Sequence, residues 1–318
     1  MNQNMNKNIN IGVIGLGKMG LGIAERLIKS GFTVAGFDPS EASCQQASAL
    51  GVTIAKNLQD IAGMVQTFWL MLPAGPIIDD VLEKLTQYIK PDVINLGVII
   101  IDGGNSFFKD SIKRNKKLTE KNISYLDCGT SGGLAGREMG YSLMIGGDKK
   151  AFERAVAIFN AIAAPGGYGY MGQSGSGHYV KMVHNGIEYS LLQAYAEGFH
   201  LLKEGHYKNL DLSEITRVWQ HGSIIRSYIV DLSHTVFSRD QELEKVSGQI
   251  GENKTGRWAI EEAQAQYIPM DLLEHSLAIR ELSRETGGNY ATKVVAMLRH
   301  EFGGHEVKLE VNPEAKKE

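Results

Sequence analysis

The chain has 318 residues, of which 43% are hydrophobic and 22% are charged, and its formal net charge is −3. This length allows two domains with sizeable cores, and the charge lacks the basic excess typical of proteins that bind nucleic acid or anionic membranes. The two cysteines, Cys44 and Cys128, exclude a disulfide framework. The sequence contains no apolar run of transmembrane length, and residues 1–10 lack the apolar core of a signal peptide, so we expect a cytoplasmic protein.

Predicted strands and helices alternate along the first part of the chain. Short apolar runs predict strands at 9–14, 32–37, 65–72, 98–101, 125–127 and 142–145. Helical periodicity covers most of the segments between them, up to residue 29 and at 40–50, 76–88, 107–121 and 148–163. This alternation predicts a Rossmann-type, doubly wound parallel sheet, which we assign to a dinucleotide-binding domain of residues 1–174.

Helical periodicity dominates the rest of the chain. It covers residues 174–204, 212–221, 224–237, 257–266, 270–285 and 290–301. Residues 175–318 are therefore predicted to form an all-α domain for substrate binding and dimerisation. This domain ends in a charged tail at 313–318, which we expect to be frayed.

The motif Gly15-Leu16-Gly17-Lys18-Met19-Gly20 has the G-x-G-x-x-G pattern. It follows the first predicted strand and begins a helix, which is the context of a dinucleotide-binding fingerprint. Here the glycines permit a tight turn, a close approach to pyrophosphate and close helix packing, while the helix N-terminus faces the phosphates. A glycine-rich turn without a ligand is the alternative.

Asp38 ends the second predicted strand, 23 residues after Gly15. A carboxylate at this position can accept hydrogen bonds from both ribose hydroxyls of NAD and would repel the 2′-phosphate of NADP. We therefore predict NAD as the preferred cofactor, with NADP possible. Alternatively, Asp38 only begins the turn with Pro39 and Ser40 and caps the next helix. The two roles are compatible.

Three further loops follow predicted strands and would face the ligand crevice of such a sheet. The first contains Leu72 and Pro73, the second Asn105, and the third Ser131-Gly132-Gly133. Asn105 offers both a donor and an acceptor, and the third loop offers backbone N–H groups and a hydroxyl. Ordinary turn chemistry explains each loop equally well when it is considered alone.

Lys181, His184, Asn185 and Glu188 stand at i, i+3, i+4 and i+7 of one predicted helix and therefore line one face. A lysine with a lowered pKa can accept the proton of an alcohol while hydride leaves the carbon, and a glutamate can act as an acid. Lys181 and Glu188, each considered alone, are typical of an exposed helix surface. Their shared stripe after a cofactor domain favours a dehydrogenase site. The other histidines lack metal-ligand spacing, so we assign no metal site.

These residues carry a resemblance that spans nearly the whole chain. The sequence resembles decarboxylating 6-phosphogluconate dehydrogenases of the short-chain type, within the β-hydroxyacid dehydrogenase superfamily. The most specific match is the helix from His178 to Tyr189. The other matching segments are Gly15-Leu16-Gly17-Lys18-Met19-Gly20, Asp102-Gly103-Gly104-Asn105-Ser106, Ser131-Gly132-Gly133, Lys254-Thr255-Gly256-Arg257-Trp258 and Arg299-His300-Glu301-Phe302-Gly303-Gly304-His305.

The resemblance implies oxidative decarboxylation of 6-phosphogluconate to ribulose 5-phosphate and CO2, as in the pentose phosphate pathway. Lys181 would accept the proton of the C3 hydroxyl, and Glu188 would protonate C1 of the enediol. The residues implied to bind the sugar acid are Asn105, Ser131, Gly132, Gly133, His184 and Asn185. Those implied to bind the 6-phosphate are Tyr189, Lys254, Arg280, Arg299 and His305, and arginine and lysine suit a phosphate. Taken alone, Arg280 is typical of a surface helix charge.

In this family the residues that correspond to Arg299 and His305 reach the partner's site, so the resemblance implies a homodimer or a homotetramer. The chain departs from the long-chain members in three places. Leu134 and Ala135 stand where those members carry Glu, and the second helical repeat is absent. Phe37-Asp38-Pro39 lacks their NADP-associated Asn-Arg-Thr pattern.

The sequence leaves two alternative functions open, the first with the same fold and the second from another class. A 3-hydroxyisobutyrate-type dehydrogenase shares the lysine but needs neither the acid at position 188 nor a phosphate clamp. A catalytically silent NAD-binding regulator would need neither Lys181 nor Glu188.

Overall fold

Eight strands form one sheet in the first half of the chain. The computed structural model describes residues 10–310. The strands are β1 (Asn10–Ile14), β2 (Thr33–Phe37), β3 (Thr53–Ile54), β4 (Thr67–Leu70), β5 (Ile99–Asp102), β6 (Ser124–Ser131), β7 (Tyr141–Gly147) and β8 (Ala163–Gly172). Their order is β3-β2-β1-β4-β5-β6-β7-β8. Within the described residues, all neighbouring strands are parallel apart from β6 and β7, which pair antiparallel.

The helices connect and follow these strands. In chain order they are α1 (Lys18–Lys29), α2 (Glu41–Ala49), α3 (Leu58–Met64), α4 (Pro76–Tyr88), α5 (Pro91–Asn95), α6 (Phe108–Thr119), α7 (Gly136–Met139), α8 (Lys149–Ile162), α9 (Ser176–Glu204), α10 (Leu212–Trp219), α11 (Tyr228–Arg239), α12 (Thr255–Ala265), α13 (Asp271–Thr286) and α14 (Tyr290–Gly303). The predicted class, a doubly wound sheet followed by a helical region, is confirmed.

The central strands are largely apolar because the sheet buries both of their faces. All four residues of β5 are buried, for example, as are Phe68, Trp69 and Leu70 in β4. The strand order reverses between β1 and β4, so the carboxyl ends of these strands flank the switch point at which such sheets bind ligands. The fold therefore directs the loops after β1, β2, β4 and β5 to one edge.

The described chain divides into two compact units between Met182 and Val183, inside α9. Within residues 183–310, the structure contains helices and one isolated bridge, between Val246 and Leu309. The core of this second unit includes Leu192, Phe199, Phe237 and Val294. The domain boundary predicted between 174 and 175 stays a prediction. Residue 9 of the first predicted strand and the predicted frayed tail at 313–318 lie outside the described residues.

Candidate active site

A cavity of about 1070 Å³ lies at the carboxyl edge of β1, β2 and β4. The glycine-rich loop after β1, Asp38 after β2 and Leu72 and Pro73 after β4 line it. Residues 57–59 and the side chains of α4 complete its wall. A cavity of this volume at a topological switch point suits a dinucleotide, so the structure brings most of the predicted cofactor residues together.

The three glycines of the fingerprint have different steric surroundings. Gly15 has a φ of +93°, and a Cβ there would lie 2.3 Å from the carbonyl oxygen of Met71. A Cβ on Gly20 would lie 1.9 Å from the carbonyl oxygen of Gly15, because helix and loop pack directly against each other. A Cβ on Gly17 would meet nothing within 4 Å. The first and third glycines therefore serve the fold, and the second leaves open space beside the cavity.

The N-terminus of α1 faces this cavity without a side-chain cap. Gly17 is the N-cap residue, it offers no side-chain acceptor, and the first turn contains no acidic residue. By contrast, Ser40 caps α2 and Asp148 caps α8 through side-chain oxygens. Uncapped backbone N–H groups and the helix dipole favour an anion at the start of α1, as expected for a pyrophosphate.

Asp38 accepts hydrogen bonds from two backbone N–H groups. One carboxylate oxygen accepts from Leu16 at 2.7 Å and the other accepts from Ser40 at 2.8 Å. The turn interpretation is therefore borne out, although Ser40 rather than Asp38 caps α2. Each oxygen of a carboxylate has further acceptor capacity, so ribose hydroxyls can still bind. The cofactor preference assigned to Asp38 stays a prediction.

Asn105 lies in a loop held by buried polar groups. It is exposed, whereas Gly104 and Ser106 on either side are buried. The Asp102 carboxylate accepts hydrogen bonds from the Gly104 backbone at 3.2 Å, from Ser106 Oγ at 2.7 Å and from the Tyr125 hydroxyl at 2.8 Å. The loop therefore presents the Asn105 side chain from a fixed backbone.

Arg114 from α6 joins the same network. Its side chain is 2% exposed and forms an ion pair with Asp79 at 2.9 Å. Burial opposes the charge on this guanidinium, but the hydrogen bond to Asp79 and the nearby Tyr125 and Asp102 outweigh it and raise the pKa of Arg114 above its usual value. In return, the hydrogen bond from Arg114 lowers the pKa of the Asp79 carboxyl. Both groups are therefore charged at neutral pH.

Asp127 fixes the start of α9 over the sheet. Its carboxylate accepts hydrogen bonds from the backbone N–H groups of Gly175 at 2.7 Å and His178 at 3.0 Å. Lys181 is buried, and a Cβ placed on Gly129 in β6 would lie 2.3 Å from Lys181 Cβ. Close packing of the helix on Gly129 thus seats the predicted base next to the strand that leads to Ser131-Gly132-Gly133. In that loop Gly132 and Gly133 have positive φ angles of 128° and 53°.

The predicted stripe of Lys181, His184, Asn185 and Glu188 falls within one uninterrupted helix, α9. Asn185 is buried, and His184 and Glu188 are partly exposed. His184 Nδ1 lies 3.2 Å from Asn185 Oδ1 and 3.9 Å from a carboxylate oxygen of Glu188. The last three residues of the stripe are therefore neighbours on the helix, as their spacing predicts.

Tyr189, Arg280 and Arg299 form a basic cluster in the second unit. The Arg280 guanidinium stacks on the Tyr189 ring at 3.6 Å from its centroid, and both of its Nη atoms are buried without a hydrogen-bond partner among the described residues. Burial lowers the pKa of Arg280 to about 10, and repulsion by Arg299 acts in the same direction. Burial also lowers the pKa of Arg299. An anion would supply the missing acceptors and offset both positive charges.

A hydrogen-bond chain connects this cluster to the stripe. Asn185 Nδ2 donates to Thr255 Oγ1 at 3.4 Å, and the Thr255 hydroxyl donates to Asn253 Oδ1. The Tyr189 hydroxyl donates to the same Asn253 oxygen at 2.7 Å. Asn253 and Thr255 thus join residues that the sequence had singled out separately.

Lys254 and His305 are the other two predicted phosphate ligands. Lys254 is exposed at the N-cap position of α12, where it provides no side-chain cap. His305 is partly buried, and its ring contacts Phe302 with centroids 6.0 Å apart. Their roles toward a phosphate stay predictions.

Several residues of the site were not singled out from the sequence. Asp102 and Thr255 lie inside segments that carry the family resemblance, and Asn253 directly precedes one. The sequence therefore contained a signal that could have identified these three residues. Arg114 and Asp127 had no such signal, because a lone helical arginine or a strand aspartate resembles an ordinary surface or turn residue.

Within residues 10–310, no group of three or more His, Cys, Asp or Glu side chains could hold a metal ion. Nor is any described helix long and apolar enough to cross a bilayer.

Two family models match the chain and together cover nearly all of it. Residues 10–185 match the NAD-binding domain of 6-phosphogluconate dehydrogenase, and residues 177–311 match the C-terminal domain of the same enzyme.

Individual relatives agree with these matches. The chain is 41% identical over 302 residues to the NAD(+)-dependent, decarboxylating 6-phosphogluconate dehydrogenase of Haloferax volcanii, covering 93% of this chain and 98% of that protein. It is 33% identical over 291 residues to the decarboxylating enzyme of Escherichia coli, covering 86% of this chain but only 61% of that longer protein.

Solved structures show a related fold. The 6-phosphogluconate dehydrogenase of Plasmodium falciparum has a TM-score of 0.77 at 28% identity, covering 96% of this chain and 66% of that one. A 3-hydroxyisobutyrate dehydrogenase of Mycobacterium tuberculosis has a TM-score of 0.70 at 21% identity, covering 92% and 99%. At that identity the second likeness shows the fold alone.

Proposed function

We propose that this chain, which belongs to the 6-phosphogluconate dehydrogenase family, oxidises and decarboxylates 6-phosphogluconate to ribulose 5-phosphate and CO2 with NAD. Membership makes it an oxidoreductase with an NAD(P)-binding domain. The observation that carries the specific substrate is the Arg280 guanidinium, buried on Tyr189 with both Nη atoms unpartnered among the described residues. A phosphate ester on the sugar acid supplies the anionic oxygens that this arginine needs.

The cavity beside Gly17 and Asp38 fits the cofactor. NAD, when bound there, supplies the hydride acceptor. The uncapped start of α1 would bind the pyrophosphate, and Asp38 would accept hydrogen bonds from the ribose hydroxyls. A 2′-phosphate would meet the Asp38 carboxylate, which supports a preference for NAD over NADP.

Lys181 would act as the base in the first step. It accepts the proton of the C3 hydroxyl as that carbon is oxidised, and the protonated amine then polarises the new carbonyl. Because the carbonyl accepts the electron pair of the breaking bond between C1 and C2, the 3-keto acid loses CO2. Lys181 is buried against Gly129 of β6, next to the strand that leads to Ser131-Gly132-Gly133, and this position supports the role.

Glu188 would complete the reaction by protonating the carbon that has lost CO2, which becomes C1 of the product. Asn105, Ser131, Gly132, Gly133, His184 and Asn185 would bind the sugar acid. Tyr189, Arg280 and Arg299 would bind the 6-phosphate, and the more exposed Lys254 and His305 would add to that site. Assembly as a homodimer or homotetramer, and a cytoplasmic location, stay predictions.

The deciding experiment measures NADH formation at 340 nm and CO2 release with three substrates: 6-phosphogluconate, unphosphorylated gluconate and 3-hydroxyisobutyrate. We expect equal amounts of NADH and CO2 from the first substrate and at least a 100-fold lower kcat/KM for gluconate, since about 3 kcal/mol of charge-assisted binding is lost. NADH without CO2 from 3-hydroxyisobutyrate would instead identify that type of dehydrogenase. No turnover, with measured NADH binding, would identify a silent regulator.

A further inference from the structure

Arg114 connects two loops of the first unit that the proposed function uses for different ligands. The segment 72–75 after β4 borders the nucleotide cavity through Leu72 and Pro73. The segment 103–106 after β5 contains Asn105, which the proposed function assigns to the substrate. Arg114 itself comes from α6, lies outside the predicted site and is 2% exposed. The inference below rests on the proposed function, because it assigns a role within that site.

The guanidinium uses all five of its N–H donors. Nε and one Nη2 hydrogen form a bidentate pair with the two carboxylate oxygens of Asp79, each at 2.9 Å. The other Nη2 hydrogen donates to the Gly75 carbonyl at 3.1 Å. Nη1 donates to Ser106 Oγ at 3.2 Å and lies 3.5 Å from Asp102 Oδ2. One planar group therefore contacts both loops, a geometry that a lysine ammonium cannot reproduce.

The contacts of Arg114 with the two loops fall towards the end of each loop, at Gly75 and at Ser106. Gly75 is the N-cap residue of α4, with a φ of 116°, so its carbonyl direction defines the end of the loop after β4. Ser106 directly follows Asn105, and its hydroxyl also donates to Asp102 at 2.7 Å. A shift of either contact would move the backbone next to a predicted ligand-binding residue.

We propose that Arg114 is a positioning residue that couples the nucleotide-binding loop after β4 to the substrate-binding loop after β5. It touches neither ligand. It holds the two loops at a constant separation, so that the carbon to be oxidised and the hydride acceptor meet in the reactive geometry.

The test compares three variants of the full-length protein with a control. Arg114→Lys keeps the charge but loses the fork that spans the loops. Ser106→Ala removes the contact of Arg114 with Ser106 in the second loop, together with the hydrogen bond from Ser106 to Asp102. Asp79→Asn weakens the outer anchor of Arg114 without changing either loop, and Asp79 is half exposed, so this variant should fold. Lys113→Met is the control, since Lys113 is exposed on the same helix and pairs with Asp110 at 3.2 Å.

The readouts are kcat and KM with 6-phosphogluconate, the Kd for NADH from its fluorescence, and the thermal midpoint. For Arg114→Lys we expect a kcat lower by about 100-fold and an NADH Kd weaker by about fivefold, since small misplacements near the chemistry have effects of this size. Asp79→Asn should change both quantities in the same direction by about threefold. Ser106→Ala should lower kcat by about 10-fold and leave the NADH Kd within about twofold of the parent. Lys113→Met should match the parent throughout.

The coupling is refuted if Arg114→Lys and Asp79→Asn, when folded, leave the NADH Kd unchanged or leave kcat unchanged, because a coupling residue must affect both ligands. A lower thermal midpoint with unchanged constants would show a structural role only and would also refute it. Failure of the proposed function is a separate result. If the proposed function is wrong, the parent enzyme will not turn over 6-phosphogluconate. The NADH Kd values of the variants would still test whether Arg114 positions the loop after β4.

Discussion

The nucleotide cavity and the basic cluster of Tyr189, Arg280 and Arg299 are both suited to phosphate groups, but they are built in opposite ways. The first relies on backbone N–H groups at the start of α1, which Gly17 leaves open. The second relies on side-chain charge, and both Nη atoms of Arg280 are buried there without a hydrogen-bond partner among the described residues. A backbone site adds little cost to the empty protein, whereas a buried guanidinium destabilises it until an anion arrives. Binding and stability should therefore respond differently to mutation in the two regions.

The largest loss of activity should come from substitution of Lys181. This variant tests whether the nucleotide cavity binds NADH independently of the catalytic step. We expect Lys181→Met to lower kcat by about 1000-fold or more, because general base catalysis is lost. The NADH Kd should change by less than about twofold, since no cofactor contact is removed. Glu188→Gln should also lower kcat strongly and leave NADH binding intact. Initial rates at 340 nm and fluorescence titration measure both quantities, and a near-normal rate for either variant would remove that residue from its role.

Arg280→Met should separate the two regions most clearly. We expect the KM for 6-phosphogluconate to rise by about 100-fold, because bidentate charge-assisted hydrogen bonds are lost. Turnover of unphosphorylated gluconate, however low, should not change. Urea unfolding should show a variant that is about 1 kcal/mol more stable, since a buried unpaired charge is replaced by an apolar side chain of similar length.

Arg284→Met is the matched control for this variant. Arg284 lies one turn further along α13, is 36% exposed and pairs with Glu252 at 3.2 Å. It should change the KM by less than twofold. If Arg280→Met is destabilised and binds 6-phosphogluconate normally, the cluster is a structural stack on Tyr189 and not an anion site.

The same contrast explains what could be predicted from the sequence. Gly15, Gly17 and Gly20 lie close together in the sequence, directly after an apolar strand. Their local spacing was therefore enough to predict the nucleotide-binding loop. In the hydrogen-bond chain from Asn185 through Thr255 and Asn253 to Tyr189, the first and last links join residues 70 and 64 positions apart. No local pattern indicates that those side chains meet. The family resemblance, rather than periodicity, pointed to Arg280 and Arg299.

Two features of the sheet also lay beyond local patterns. The strand β8 (Ala163–Gly172) was missed because it has four glycines and a proline and no β-branched residue. β7 was identified at 142–145, but its antiparallel pairing with β6 was not, because an apolar run carries no information on strand direction. The short connection from β6 through α7 is what turns the chain back.

A pair of alanine substitutions in the glycine-rich loop should separate binding from folding within the backbone-built site. In Gly17→Ala the new methyl group points into open space, so stability should stay within about 0.5 kcal/mol while the NADH Kd weakens by about 10-fold through contact with the pyrophosphate. In Gly20→Ala the methyl group meets the Gly15 carbonyl, so we expect a loss of about 1–3 kcal/mol. Urea unfolding and NADH titration measure the two effects. Equal loss of stability in both variants would contradict the assignment of Gly17 to the ligand.

The smallest expected change in activity comes from Asp38, whose side chain binds backbone N–H groups and is also proposed to bind the cofactor ribose. Asp38→Asn keeps the shape of the side chain but removes its charge and one of its two acceptor oxygens, so it loses either the Leu16 or the Ser40 hydrogen bond. If Asp38 also binds the ribose, kcat/KM with NAD should fall by about fivefold, equivalent to about 1 kcal/mol. The kcat/KM with NADP should stay unchanged or increase, because the repulsion between the Asp38 carboxylate and the 2′-phosphate is removed. Should Asp38 serve the turn alone, both cofactors would lose equally and the ratio of their kcat/KM values would not change. Asp148→Asn is the matched control, since Asp148 caps α8 by accepting from Ala151 at 2.8 Å and asparagine caps a helix equally well.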